Sequence, residues 1–462
     1  MLKGKSVAAT TLGCKVNQAE TDSMLDMLGA AGADIVDFEE KADIYIVNTC
    51  SVTNIADKKS RQMLHRAKKR NPDSIVIAAG CYVQSAKELL EQDAAVDIVI
   101  SNNKKKDITK IIDDYINVIS NNAECEKKPT EDIFGENSDA VEYFVDISKE
   151  TEYEEMGGHV PVGHTRAYVK IQDGCNQFCS YCIIPYVRGR IRSRSEAAVL
   201  DEVRELADTG IKEVVLTGIH ISSYGKDKNN EGALVDLIDA ISKIKGIKRI
   251  RLGSLEPGII TEGFVQRISA NSKVCPHFHL SLQSGCNTVL KRMNRKYTRE
   301  EYFEKCEMLR AAYKDPALTT DVIVGFPGET DDEFEETVKY LKDLNLYEMH
   351  IFKYSPRKGT VAAAMKDQVS PDVKNNRSDV LLDLAQRNKE AYEAMFDGEE
   401  LEVLVEEVVH KTENGHKNTY LRGHTERYMD ILINIGDTSM PESFINSFVY
   451  VKYTKDGDIM LV

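Results

Sequence analysis

No apolar run in this 462-residue chain approaches the roughly 18 residues that a membrane span needs. Behind the two lysines of the N-terminus stands only a strand-length apolar stretch, VAATTL, with no small-residue cleavage site after it. No secretory signal is expected, and the expected location is cytoplasmic. Positive charge is also in short supply: 60 Lys and Arg face 75 Asp and Glu, a formal net charge of −15. That excludes a protein that coats nucleic acid by bulk electrostatics. It leaves room for local basic patches, because phosphates meet only one part of a surface. Internal repeats and low-complexity tracts are absent as well.

What is present is a globular mix, 42% hydrophobic and 29% charged, over a length that implies two to three domains. In residues 1–120, the runs SVAATTL, DIYIVN, SIVIAAG and VDIVIS alternate with helical stretches near Glu20–Gly29, Asp57–Arg70 and Ser85–Gln92. This predicts parallel βαβ units in an open α/β sheet. Residues 121–163 read as an acidic, solvated linker with one short strand, VEYFVDI. Between Glu124 and Glu155, twelve acids face three lysines. Over 164–395 the alternation resumes with AYVKIQ, EVVLTGI, RIRLGSL, HFHLSLQ, LTTDVIVGF and EMHIFKYS, six βα units that predict a partial barrel. Residues 396–462 predict a small all-β barrel of short strands parted by Asn414–Gly415 and Asp456–Gly457.

The ten cysteines sit in a long chain without an export signal, so metal ligation is a better reading than disulfides. Cys175, Cys179 and Cys182 form C-x3-C-x2-C directly after strand AYVKIQ. Three thiolates on one loop can hold three irons of a four-iron cube and leave the fourth open for chemistry. Cys14, Cys50 and Cys81 are far apart in sequence, yet each follows a predicted strand of the first domain. If those strands are parallel neighbours, the three thiols meet at the carboxyl edge of the sheet, where such folds place ligands. Buried structural cysteines are the alternative there, and a structural zinc is the alternative for the first group. Cys125, Cys275, Cys286 and Cys306 have no partner spacing and are read as ordinary thiols.

C-x3-C-x2-C resembles the radical-SAM motif, in which the open iron binds S-adenosylmethionine (SAM) and electron transfer yields a 5′-deoxyadenosyl radical. Beyond it, LGCKVNQAETDSM, IVNTCSVTNIADKKSRQ, AAGCYVQ, LTGIHISSYG, HLSLQSGCNTVLKRMNRKYTRE and TDVIVGFPGETDDEF, in order, resemble the radical-SAM methylthiotransferases. The terminal β segment resembles their TRAM domain. Within the family, LGCKVNQAET and LTGIH are most like the branch acting on N6-threonylcarbamoyladenosine at position 37 of tRNA. The resemblance implies methylthiolation at carbon 2 of that adenine. It implies two 4Fe-4S clusters, one SAM as methyl donor and one as radical source, with sulfur delivered at the Cys14/Cys50/Cys81 cluster. It makes Tyr181 an adenine contact and calls for an electron donor of unspecified identity.

Gly218, His220, Glu256, Gln283 and Asp321 lie at or near predicted strand C-termini and are candidates for the SAM site. Three basic runs are candidates for RNA phosphates: Lys58, Lys59 and Arg61 after Cys50; Arg188 and Arg194 after the cysteine loop; Lys291, Arg292 and Arg295 after HLSLQ. From Glu399 to Val462, twelve acids face six bases, and Arg422 is the RNA candidate of that domain. A base that must leave its stack makes an anticodon loop a cheaper substrate than a duplex. Rival readings are methylthiolation of a ribosomal protein side chain or of isopentenyladenosine in tRNA, and a non-enzymatic iron–sulfur RNA-binding protein. The chain is expected to be a monomer without membrane partners.

Overall fold

The computed structural model describes residues 2–121, 144–157, 165–413, 416–436, 440–455 and 459–461. The first domain is a five-stranded parallel sheet: β1 (Ser6–Thr11), β2 (Asp34–Val36), β3 (Ile44–Thr49), β4 (Ile75–Gly80) and β5 (Ile98–Ile100), in the order β2-β1-β3-β4-β5. Every residue of β3 is buried, because helices cover both faces of the sheet and alternate side chains feed two separate apolar cores. The short edge strand β2 and the helix Ile108–Asn121 were not evident from the sequence pattern.

In the second domain, six parallel strands follow one another in space as in sequence: β6 (Arg166–Asp173), β8 (Glu213–Gly218), β9 (Arg249–Leu252), β10 (His277–His279), β11 (Ala317–Val324) and β12 (Glu348–Lys353). On the side of β6 away from β8, β7 (Arg192–Ser193) adds two antiparallel residues. Bridges Ile250–Val274 and Leu255–Leu280 join β9 to the β10 side, which makes one open six-stranded barrel. Its outer wall packs on helices through a large apolar core. Capping boxes at Thr298/Glu301 and Thr330/Glu333 start two of those helices.

The third domain is antiparallel: β13 (Glu400–Glu413), β14 (His416–Thr425), β15 (Asp430–Asn434), β16 (Phe448–Lys452) and β17 (Met460–Leu461), in the order β15-β14-β13-β16-β17. An Ile433–Ile459 bridge brings its edges together, as a small barrel requires. The turns expected at Asn414–Gly415 and Asp456–Gly457 lie outside the described residues. Two of this domain's acids have partners on the barrel. Glu406 pairs with Arg166 at 3.1 Å and Glu402 with Arg249 at 2.9 Å, while Arg251 donates to the carbonyls of Thr425 and Glu426.

Of the expected linker, 122–143 and 158–164 lie outside the described residues. Residues 144–147 form no strand, and 144–157 are more than a solvated connector. Ile147 and Glu154 are buried; Gln84 donates to Val145 O and Tyr153 Oη to Lys170 O. The segment is therefore tied to both neighbouring domains. No helix among the described residues is long and apolar enough to cross a membrane.

Candidate functional site

Cys14 is the N-cap of the helix Lys15–Ala30, Cys50 follows β3, and Cys81 opens the helix that follows β4. All three stand at the carboxyl edge of the first sheet and lie close enough to feel one another's charge. Gly13, at φ +104°, makes the approach possible: a Cβ there would sit 2.8 Å from Cys50 Sγ. In the second group, Cys182 N–H donates to Cys179 O at 3.0 Å and Gln177 N–H to Cys175 Sγ at 3.4 Å. Gly174, at φ +72°, starts that loop where a Cβ would strike Arg190 O.

Burial pushes the Cys50 and Cys175 thiols up to about 11 and Cys182 to about 12. Such thiols are protonated at neutral pH unless a metal displaces the proton. Among the described residues, only His279, Asp321 and His350 bring three ligand atoms within 4.8 Å of one another. In neither cysteine triad do all three sulfurs lie within that distance of one another.

The two triads adjoin. Cys81 packs in one apolar group with Ile183 and Val187, the former being the residue after Cys182. From the same short helix, Arg188 Nε donates to Cys81 Sγ at 3.2 Å. Its guanidinium also bonds Glu20, Asn17 and Asp173, and Glu20 in turn meets Lys105 and, at 2.6 Å, Lys170. This buried network joins the first domain to the barrel. Burial alone would raise the carboxyls of Glu20 and Asp173, but the surrounding cations overcome it and hold both well below the usual range.

The SAM-site candidates fall into three places. His220 Nε2 meets Glu256 at 2.9 Å, Gln177 Nε2 donates to the same carboxylate at 2.6 Å, and Arg295 lies 3.6 Å from it. His220 and Glu256 are thus joined directly to the cysteine loop. Half-buried Tyr181 packs on Cys286, Met293, Phe326 and Tyr354. Gln283 is a non-glycine at φ +74° whose N–H donates to Asp321 O, so the chain beyond β10 runs along β11. Gly218 and Asp321 line a cavity of about 550 Å³ inside the barrel.

The RNA candidates separate. Lys58, Lys59, Arg61 and Lys291 are exposed. Arg188 is wholly buried in the network above, which corrects its reading as a phosphate contact. Arg194 is also buried, bonded to Glu202 and to Glu155 at 2.9 Å, and is corrected for the same reason. Arg295 turns inward and donates to Cys179 Sγ at 3.3 Å, a role that charge counting missed. Arg292 is held by Glu333 at 2.6 Å, and exposed Arg422 by Asp430 and Glu407.

Comparison with known proteins fits this geometry. Residues 169–341 match the model of the Radical SAM superfamily, and residues 6–101 that of the Uncharacterized protein family UPF0004. A Bacillus subtilis protein named threonylcarbamoyladenosine tRNA methylthiotransferase MtaB is 39% identical over 98% of this chain and 94% of its own. The Aquifex aeolicus protein of that name is 38% identical over 92% and 96%. The chain belongs to the radical-SAM methylthiotransferases. It is therefore a transferase, and the family implies SAM and a 4Fe-4S cluster. A tRNA-2-methylthio-N(6)-dimethylallyladenosine synthase from Thermodesulfovibrio yellowstonii is also similar, 37% identical over 88% of this chain and 89% of its own. Among solved structures, the radical SAM methyltransferase TsrM from Kitasatospora setae shares the fold, with a TM-score of 0.55 over 76% of each chain at 16% identity.

Proposed function

We propose that this methylthiotransferase adds a methylthio group to carbon 2 of the adenine in N6-threonylcarbamoyladenosine at position 37 of tRNA. The names of the relatives that match nearly end to end support the substrate class. The observation that carries the reaction type is the packing of Cys81 against Ile183, the neighbour of Cys182, which puts a second thiol triad beside the first. Cys175, Cys179 and Cys182 would hold a cluster that cleaves SAM reductively, and Cys14, Cys50 and Cys81 one that delivers sulfur, with a second SAM supplying the methyl group. Around them the chain's own residues orient and insulate. Arg295 and Arg188 each donate to one cysteine sulfur, the kind of outer contact that sets ligand basicity. His220, Glu256 and Gln177 present a fixed row of polar groups where SAM would lie. Lys58, Lys59, Arg61 and Lys291 remain the groups proposed to meet tRNA phosphates.

The test is nucleoside mass analysis of tRNA from a deletion strain with no second enzyme of this kind. Methylthiolated threonylcarbamoyladenosine should disappear and return on complementation. Its persistence at the wild-type level would defeat the proposal.

A further inference from the structure

The inner wall of a small parallel barrel is ordinarily filled with branched apolar side chains. Here the alternating positions that line the cavity are Arg251 on β9, His277 and His279 on β10, Thr319 and Asp321 on β11, and Glu348 and His350 on β12. Charged and polar side chains are prominent in this lumen, and all three domains line it: Cys14 and Lys15 from the first, the strands from the second, Tyr428 from the third. Its volume, about 550 Å³, falls in the range of small-ligand sites.

Most charges in this lumen are already paired. Arg251 is held by Glu213 at 2.8 Å, Glu348 by Lys389 at 2.7 Å, and Asp321 lies 3.4 Å from His279. Lys15 differs. Exposed at the mouth of the helix that follows Cys14, it forms neither a hydrogen bond nor an ion pair among the described residues; its Nζ lies over the rings of Tyr168 and Tyr428, at 5.6 and 5.7 Å. Tyr428 itself stands at φ +66°, an unusual conformation for a side chain of its size, held where Arg166 and Arg251 also flank its ring. His277 on the same wall has an Nδ1 without a hydrogen-bond partner. An exposed lysine that lines the cavity without an ion-pair partner, beside two aromatic rings, can receive an anion on a flat ligand.

We propose that this lumen takes the modified base and that Lys15 pairs with the free carboxylate of its threonylcarbamoyl group. The proposal rests on the function proposed above and deepens it, because it says how the site tells its substrate from a dimethylallyl one. The threonylcarbamoyl group is an anion with a hydroxyl; the dimethylallyl group is neutral and apolar. It would bring an apolar group to Lys15 and forgo the charged hydrogen bond that the carboxylate makes there.

The experiment uses the full chain with reconstituted clusters and anticodon stem-loops bearing, at position 37, threonylcarbamoyladenosine or its carboxamide, an isostere without charge. Fluorescence anisotropy reads affinity and mass spectrometry reads methylthio product. The wild type should bind the carboxylate form about 10- to 100-fold more tightly than the amide, the cost of losing a charged hydrogen bond. Lys15→Gln should reduce that ratio to about threefold or less, and Lys15→Arg should retain most of it. Iron and sulfide content of each variant reports whether the clusters are intact, and the wild-type comparison needs no mutation. Equal binding of acid and amide by a wild type that still makes product overturns this proposal and leaves the function standing. So does full discrimination by Lys15→Gln. Failure of the wild type to methylthiolate the natural stem-loop defeats the underlying reading and this one with it.

Discussion

The two cysteine triads make the same ligand set by opposite means. Cys175, Cys179 and Cys182 lie within one loop after β6, and the chain's local path brings them together. Cys14, Cys50 and Cys81 come from three strand ends and meet only if the whole parallel sheet forms in register. Each triad has a buried arginine on one sulfur, but Arg295 belongs to the barrel that carries its triad, whereas Arg188 reaches across to the other domain. The local triad can be assembled by one domain; the distributed one is tied to its partner by the Glu20 network.

The sharpest way to separate them is to remove one ligand from each. Cys179→Ala should bring 5′-deoxyadenosine formation from SAM and a strong reductant to background. Cys50→Ala should leave that product within a few-fold of wild type while abolishing methylthiolated nucleoside. Product at the normal rate from Cys50→Ala would show that the distributed triad is not a reaction centre.

The tie between the triads is next in size. Glu20→Ala would leave buried Lys105 without its carboxylate and Arg188 and Lys170 with Asp173 alone, a loss of about 3–5 kcal/mol in a denaturant titration. The pH dependence has a definite sign. Cations hold Glu20 and Asp173 below their unfolded values of about 4, so their contribution is complete above that pH and is lost as pH falls. In Glu20→Ala the acid side of the stability profile should therefore be flatter, and an unchanged slope would contradict the assignment.

A smaller effect tests the arginines. Lysine cannot reproduce a guanidinium fork, so Arg295→Lys should lower SAM cleavage about 10- to 100-fold. Arg188→Lys should lower methylthiolation by a similar factor with SAM cleavage less affected. If both variants lose SAM cleavage equally, the division of labour between the triads is wrong.

How legible each triad was in the sequence follows from the same difference. C-x3-C-x2-C is a local pattern, and the rule that ligands gather at strand carboxyl ends was enough to group Cys14, Cys50 and Cys81. The arginines were not legible. Arg188 and Arg194 read as a basic run because the carboxylate that buries Arg188, Glu20, lies 168 residues away. No count over a window can see it. The charged and polar side chains of the lumen were missed for another reason: in HFHLSLQ and EMHIFKYS the histidines alternate with apolar residues, a pattern that normally turns the polar face outward. In this barrel the apolar face, with Phe278, packs on the outer helices and the histidines point inward.

The smallest expected effect concerns RNA and turns on the contrast between free and committed cations. Lys58, Lys59 and Arg61 stand exposed on the helix that follows Cys50, with no ion-pair partner among the described residues. Neutralising a free surface cation that meets a phosphate releases one fewer counterion, so each Ala substitution should weaken tRNA binding about threefold and lower the salt slope by roughly 0.7–0.9. Arg422 is as exposed, but Asp430 and Glu407 already satisfy its guanidinium, so Arg422→Ala should leave the slope unchanged. Filter binding from 50 to 200 mM salt distinguishes the two. A slope that falls with Arg422→Ala and not with the Lys58, Lys59 or Arg61 substitutions would move the RNA from the edge beside the distributed triad to the C-terminal barrel.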